Sequence, residues 1–233
     1  MTLEERAFAV TASDACEKLM TRFGYLYAGG KYREIYERLF SRREDITITT
    51  NNGQWSNRYS VYQSFVLDQE QAALDSFLAV KKRYPSVPRR VRDFRTLYMF
   101  RKPLMHNMVF ELAADGQSAR GLFYTTSYVH NCTTPSGVRD CRWIMERHAA
   151  DFILEDGAWK ILNFRVNSDA EGCMDAYQWP LEHRVIPEFD RADSYDVPGL
   201  FHKPYSPLQT PQNTPELPRP YDTYDPACSY AAL

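Results

Sequence analysis

Long apolar runs are missing from this chain. No stretch approaches the roughly 20 consecutive apolar residues that a bilayer-spanning helix needs, so no membrane partner is expected. Neither sign of charge prevails, with 28 Lys and Arg against 30 Asp and Glu and a formal net charge of -2. A nucleic-acid partner would need a local basic patch, and none is expected. Five cysteines, Cys16, Cys132, Cys141, Cys173 and Cys228, are odd in number and lack C-x-x-C spacing, which argues against a zinc site or a disulfide framework. Cys132 and Cys141 flank a hairpin loop, and reduced thiols are the expected state. There is no Gly-rich phosphate loop, no His-x-x-x-His or clustered-carboxylate metal signature, and no Ser or Cys nucleophile motif. Any chemistry is therefore expected to need no cofactor and no metal. The opening residues MTLEERAFAV lack the charged-then-apolar build of a signal peptide, so a cytoplasmic location is expected.

What the chain does have is aromatic content and hairpin punctuation. Its 233 residues suffice for one well-buried domain with an appendage, or for two small domains. Sixteen Tyr and 13 Phe point to an aromatic-lined interior. Ala9, Cys16, Leu19, Met20, Phe23 and Tyr27 recur at three- and four-residue steps, so residues 3–27 read as an amphipathic helix ended by Ala28-Gly29-Gly30. A short helix over 32–40 buries Ile35, Leu39 and Phe40. Residues 46–50, ITITT, are β-branched and read as a first strand, with Asn52-Gly53 as its turn. Residues 61–84 form a third helical region closed by Pro85.

Next comes KKRYPSVPRRVRDFR, with seven Lys or Arg between Lys81 and Arg95. It reads as a solvated loop or as a steering patch for an anionic ligand. Strands follow near 94–101, 105–114, 118–130, 141–155 and 158–167, with turns at Asp115-Gly116 and Asp156-Gly157. From Pro198 to Pro226 there are eight prolines interleaved with Phe201, Tyr205, Tyr221 and Tyr224. Such a segment cannot form sheet or helix interior. Its aromatics favour an extended arm that docks on its own domain or on a neighbouring subunit, rather than a disordered tail. The organisation read from these features is an α+β domain over 1–175 and a Pro- and Tyr-rich arm over 176–233.

RFGYLYAGGKYREIYERLF (22–40), DGQSARGLFYTTS (115–127) and DFILEDGAWKI (151–161) resemble the SnoaL-like branch of the nuclear transport factor 2-like superfamily over roughly residues 5–168. The dehydratases of that branch, scytalone dehydratase and bile-acid 7α-dehydratase among them, are the nearest in pattern. The resemblance implies a cone-shaped curved antiparallel sheet wrapped around N-terminal helices, with an apolar cavity open at one end. It also implies a small-molecule hydrophobic or aromatic substrate, and a homodimer or higher homo-oligomer formed sheet to sheet through Leu162, Phe164 and Val166. Activities in the family include dehydration, isomerisation and cyclisation, and other members only bind ligands or serve as scaffolds. Aligned through Tyr32-Arg33-Glu34-Ile35, Phe23 and Ala28 occupy the positions where bile-acid 7α-dehydratase carries a Tyr and an Asp. Tyr25 and Tyr27 lie nearby on the same helix as substitutes. His106 falls where the dehydratases carry their pocket His, and a His is the natural base for a proton α to a carbonyl.

The catalytic candidates are thus His106, Tyr25 and Tyr27. Alternation supplies the substrate-binding ones. If Phe123 faces inward, Thr125 and Ser127 share its face. If Trp159 and Ile161 face inward, Asn163, Arg165 and Asn167 follow them. Phe23 lines the same cavity from the helix. His148 and Asp151 are three apart and face opposite sides, whereas Glu146 and His148 share one. That pair lies either inward or, more commonly for such residues, on the charged surface. The function read from all of this is a cofactor-independent lyase, dehydratase-like, acting on a hydrophobic or aromatic hydroxylated small molecule. The alternatives are a binding or assembly protein of the same fold, and an isomerase or cyclase using the same pocket.

Overall fold

Thr2 starts the first helix with a reciprocal cap. Its hydroxyl accepts from the Glu5 amide at 3.2 Å while the Glu5 carboxylate accepts from the Thr2 amide at 2.7 Å. Helix α1 then runs Leu3–Ala28 and ends where Gly30 takes φ 64°, a conformation that favours glycine. The computed structural model describes residues 2–86, 99–131, 140–173, 195–198 and 214–232. A short helix α2, Tyr32–Arg38, follows, and then the hairpin strands β1, Thr47–Thr49, and β2, Gly53–Trp55. Helix α3, Arg58–Tyr62, passes through one wide π turn, Gln63–Leu67, into α4, Asp68–Arg83. Four long strands come next: β3, Met99–Leu112; β4, Ser118–Asn131; β5, Asp140–Glu155; and β6, Ala158–Cys173. A two-residue strand β7, Val197–Pro198, closes the set.

The sheet order is β3-β4-β5-β6-β1-β2-β7. All described pairs are antiparallel except β1 with β6, so the sheet is mixed; it is curved and does not close. The fold is α+β, with helices packed on the concave face. The core between them is aromatic. The Phe23 ring meets Phe164 at 4.8 Å and Tyr27 at 5.8 Å, and Phe65 lies 5.6 Å from Tyr32 and 5.9 Å from Phe40. Phe40, Phe152, Ile161 and Leu162 are among the fully buried side chains of this layer. Burial of each such side chain stabilises by about 1.5–3 kcal/mol.

Asp156 and Gly157 both have positive φ (51° and 75°), as a tight hairpin turn requires. Gly53 does not serve the turn expected of it: it lies in β2, and a Cβ there would come within 2.5 Å of the Tyr195 ring. It is glycine because another segment passes close by. The basic run falls largely on residues 87–98, outside the described residues, as do Cys132 and most of the proline-rich stretch before residue 214.

Three bulges set which way side chains point. One lies in β3 between His106 and Val109. A second leaves Asp169 unmatched opposite Met145 and Glu146. The third leaves Leu162 unmatched opposite Asp151 and Phe152. A bulge inverts the face of every residue beyond it. Ile161 and Leu162 are therefore both buried in the core, and Phe164 and Val166 continue inward. The expectation that Leu162, Phe164 and Val166 form an outer dimerisation face is corrected on this ground.

Candidate active site

The same bulge places the residues expected to follow Ile161 inward. Asn163, Arg165 and Asn167 lie on the opposite, convex face. Asn163 is bonded there by Thr47, Asp151, Tyr224 and Ser229. Arg165 donates to Asn167 at 2.9 Å, and Asn167 to the Thr214 carbonyl at 3.1 Å. Burial lowers the Arg165 pKa, with Arg147 adding to the effect.

The inner face carries a polar band instead. Met105, Thr125, Glu146 and Ser168 are successive cross-strand partners on β3, β4, β5 and β6. Beside this row stand Ser127, and His148 opposite Phe123. Glu146 is 1% exposed and His148 4%. The Glu146 Oε2 accepts from Ser127 Oγ at 2.9 Å and lies 3.3 Å from His148 Nε2. The His148 ring stands edge-on to Phe164 at 5.4 Å. A carboxylate accepts and does not donate, so Nε2 carries a proton toward Glu146; in the neutral imidazole, Nδ1 is then the acceptor.

The His148 Nδ1 has no hydrogen-bond partner among the described residues, nor do the hydroxyls of Thr125 and Ser168. Buried polar groups are ordinarily satisfied, because each unmet one costs about 1–3 kcal/mol. Three such atoms lie in one buried band beside the carboxylate–imidazole pair. Phe23, Phe123, Phe164 and Val166 give it apolar surroundings. Among the described residues no cluster of His, Cys, Asp and Glu could hold a metal ion.

The other candidates lie elsewhere. Tyr27 is buried in the aromatic core against Phe23 and Tyr32. Tyr25 is 76% exposed. His106, paired with Tyr124 on the strand edge, is also exposed. Tyr25 and His106 line one cleft of about 400 Å³ between α1 and β3, together with Met20, Gly24, Pro103 and Met105. The structure thus brings Thr125, Ser127 and His148 together with Phe23 and Phe123 nearby, and brings Tyr25 and His106 together in a separate cleft. Ser168 escaped the sequence reading, because its inward orientation depends on the bulge at Leu162. Glu146 was legible from its two-residue step to His148.

Part of the convex face, around Asp151, Leu122 and Ala149, is covered by residues within 214–232. Asp151, 1% exposed, accepts from Ser229 Oγ at 2.6 Å, from the Tyr230 and Ala231 amides at 3.1 Å, and from Asn163 at 3.1 Å. Arg120 stacks on Tyr221 at 3.9 Å and donates to the Cys228 carbonyl at 2.7 Å. Ala231 is buried against Leu122 and Ala149. Burial pushes the Tyr221 hydroxyl up to about 12 and raises Tyr224 and Tyr230 as well.

No protein-family model matches the sequence, and no curated protein matches it. Solved structures do. A putative scytalone dehydratase from Novosphingobium aromaticivorans is 13% identical, with 77% of this chain and 99% of that one covered at a TM-score of 0.50. The Kfla4162 protein from Kribbella flavida is 12% identical, with 70% and 95% covered at 0.50. An NTF2-like protein with a cystatin-like fold from Novosphingobium aromaticivorans is 13% identical, with 71% and 87% covered at 0.46. Among the described residues no helix is long and apolar enough to cross a membrane. At such identities the likeness speaks for architecture alone, and the fold of this chain is similar to that of the putative scytalone dehydratase and of the Kfla4162 protein.

Proposed function

We propose that the protein is a cofactor-independent lyase, dehydratase-like, acting on a hydrophobic or aromatic hydroxylated small molecule held against the concave face. One observation carries the reading: a buried Glu146–His148 pair whose Nδ1, like the hydroxyls of Thr125 and Ser168, lacks a partner among the described residues. Glu146 holds the imidazole in the tautomer that can accept a proton and stabilises the imidazolium once it forms. Nδ1 takes the proton α to a substrate carbonyl, the carbon–carbon double bond forms, and the β-hydroxyl departs. The same imidazolium returns its proton to that oxygen, so water leaves and His148 is neutral again. Thr125 and Ser168 hydrogen-bond the carbonyl and hydroxyl oxygens. The likeness to a putative scytalone dehydratase agrees with this class of reaction.

A second reading places the chemistry in the cleft that Tyr25 and His106 share. Homo-oligomer formation, implied by the family resemblance, would use surface outside the part of the convex face that residues 214–232 cover.

The test incubates wild type, His148→Gln and His106→Gln with a metabolite extract and follows masses that lose water. His148→Gln is expected to slow the loss by roughly 100-fold or more, with His106→Gln near wild type. The opposite pattern transfers the chemistry to the cleft. No water loss with wild type defeats the dehydratase reading.

A further inference from the structure

Asp151 and Asn163 are cross-strand partners beside the unmatched Leu162, and their side chains are joined at 3.1 Å. The C-terminal segment closes this pair from outside. Ser229 bonds both residues, the Tyr230 and Ala231 amides point at Asp151, and the Tyr224 hydroxyl lies 3.0 Å from Asn163. Thr47 holds the remaining amide oxygen of Asn163 at 3.0 Å. The residue just after the bulge is thus fixed on every polar atom. The next residue, Phe164, turns inward between Phe23 and the His148 ring. A contact made on the outer face therefore fixes the wall of the band on the inner face, through two consecutive residues of one strand.

We propose that residues 224–231 are a positioning element for the inner site: by closing the Asp151–Asn163 pair they lock the bulge at Leu162 and with it the placement of Phe164 against His148. The proposal rests on reading the inner band as the site. Asp151, Asn163 and Ser229 are positioning residues, since none faces the band. The outer network is costly to leave half made: without the segment, a buried carboxylate would lose three of its four hydrogen-bond donors. The bulge, in turn, is the feature that decides which residues of β6 reach the inner face.

The experiment uses the full chain. Ala231→Asp sets a second carboxylate beside Asp151 in a buried position and expels the segment without touching the helix-packed core. Hydrogen exchange at the Tyr230 amide reports release. The ¹⁵N shifts of the His148 ring nitrogens report the tautomer. Release is expected to raise Tyr230 exchange at least about tenfold and to turn a single Nε2–H tautomer into a mixture. A synthetic peptide of residues 221–232, added in excess, is expected to restore it. Ser229→Ala, a milder change, is expected to move both readouts in the same direction and serves if Ala231→Asp does not fold. Unchanged ring shifts with the segment released overturn the proposal, and so does a Tyr230 amide that stays protected. Turnover is not read, so failure of the lyase reading leaves this result standing and is seen separately in His148→Gln.

Discussion

Replacing Asp151 with alanine is expected to lower stability more than any other single change on the convex face. The carboxylate accepts from Ser229, Tyr230, Ala231 and Asn163, and Arg120 Nε lies 3.8 Å away. Two responses are open to the variant. If residues 214–232 stay in place, three of their donors are orphaned at about 1–3 kcal/mol each. If they leave, the donors rehydrate, but the burial of Ala231 and the stacking of Arg120 on Tyr221 are lost. Removing one member of a buried charged network costs about 3–5 kcal/mol. At about 2–4 °C per kcal/mol for a domain of this size, the melting temperature should fall by roughly 6–20 °C. Asp151→Asn keeps one acceptor oxygen and should cost less than half as much. Thermal melts followed by circular dichroism measure both. A double-mutant cycle with Ser229→Ala should give a coupling of about 1.5–3 kcal/mol, the range for a hydrogen bond to a charged group. A melt of Asp151→Ala within about 2 °C of wild type would falsify the claim that this carboxylate anchors the segment.

Alkaline pH should loosen the same segment. The Tyr221 hydroxyl titrates near 12 in the folded chain against about 10 when unfolded. The folded state therefore holds the proton more tightly, and its contribution is full below about 10 and declines as pH rises toward 12. Absorbance of phenolate at high pH should show late-titrating tyrosines, and release of residues 214–232 should accompany their ionisation; titration of all tyrosines together near 10 would contradict it. Gly53→Ala should detach β7 from β2, because its Cβ would meet the Tyr195 ring at 2.5 Å and the Val197 carbonyl at 2.7 Å. Faster exchange of the Asp196 amide, which bonds the Gln54 carbonyl at 3.0 Å, is the expected sign, with β4 and β5 amides unchanged.

The parts of this fold that were legible in the sequence are those where one local rule acts alone. The apolar spacing from Cys16 to Tyr27 marked α1, and Asp-Gly pairs marked the β3–β4 and β5–β6 turns. Alternation alone put Phe123, Thr125 and Ser127 on one face and paired Glu146 with His148 on one face of their own strand, leaving open whether that face is the inner one. What failed was alternation carried through a bulge. Nothing in Lys160-Ile161-Leu162-Asn163, neither glycine nor proline, announces that two adjacent apolar residues will both be buried. Yet that step sends Asn163, Arg165 and Asn167 to the convex face and exchanges them for Phe164, Val166 and Ser168. Gly53 shows the same limit from another side. Its need for a missing side chain arises from Tyr195, about 140 residues away, a relation no local pattern encodes.

The open sheet has a consequence for behaviour at high concentration. Strand β3 stands at one end of the described order with fourteen residues, long enough to template pairing with another molecule's strand and so to seed aggregates. The features already placed on it break that template. Pro103 cannot donate along the edge, the bulge between His106 and Val109 interrupts its hydrogen-bonding rhythm, and α1 crosses it closely enough that a Cβ on Gly24 would lie 3.7 Å from the Pro103 carbonyl. One of these features, the bulge, is also the one that turns His106 away from Thr125 and His148, so a single local distortion both interrupts the strand edge and sets the composition of the inner band.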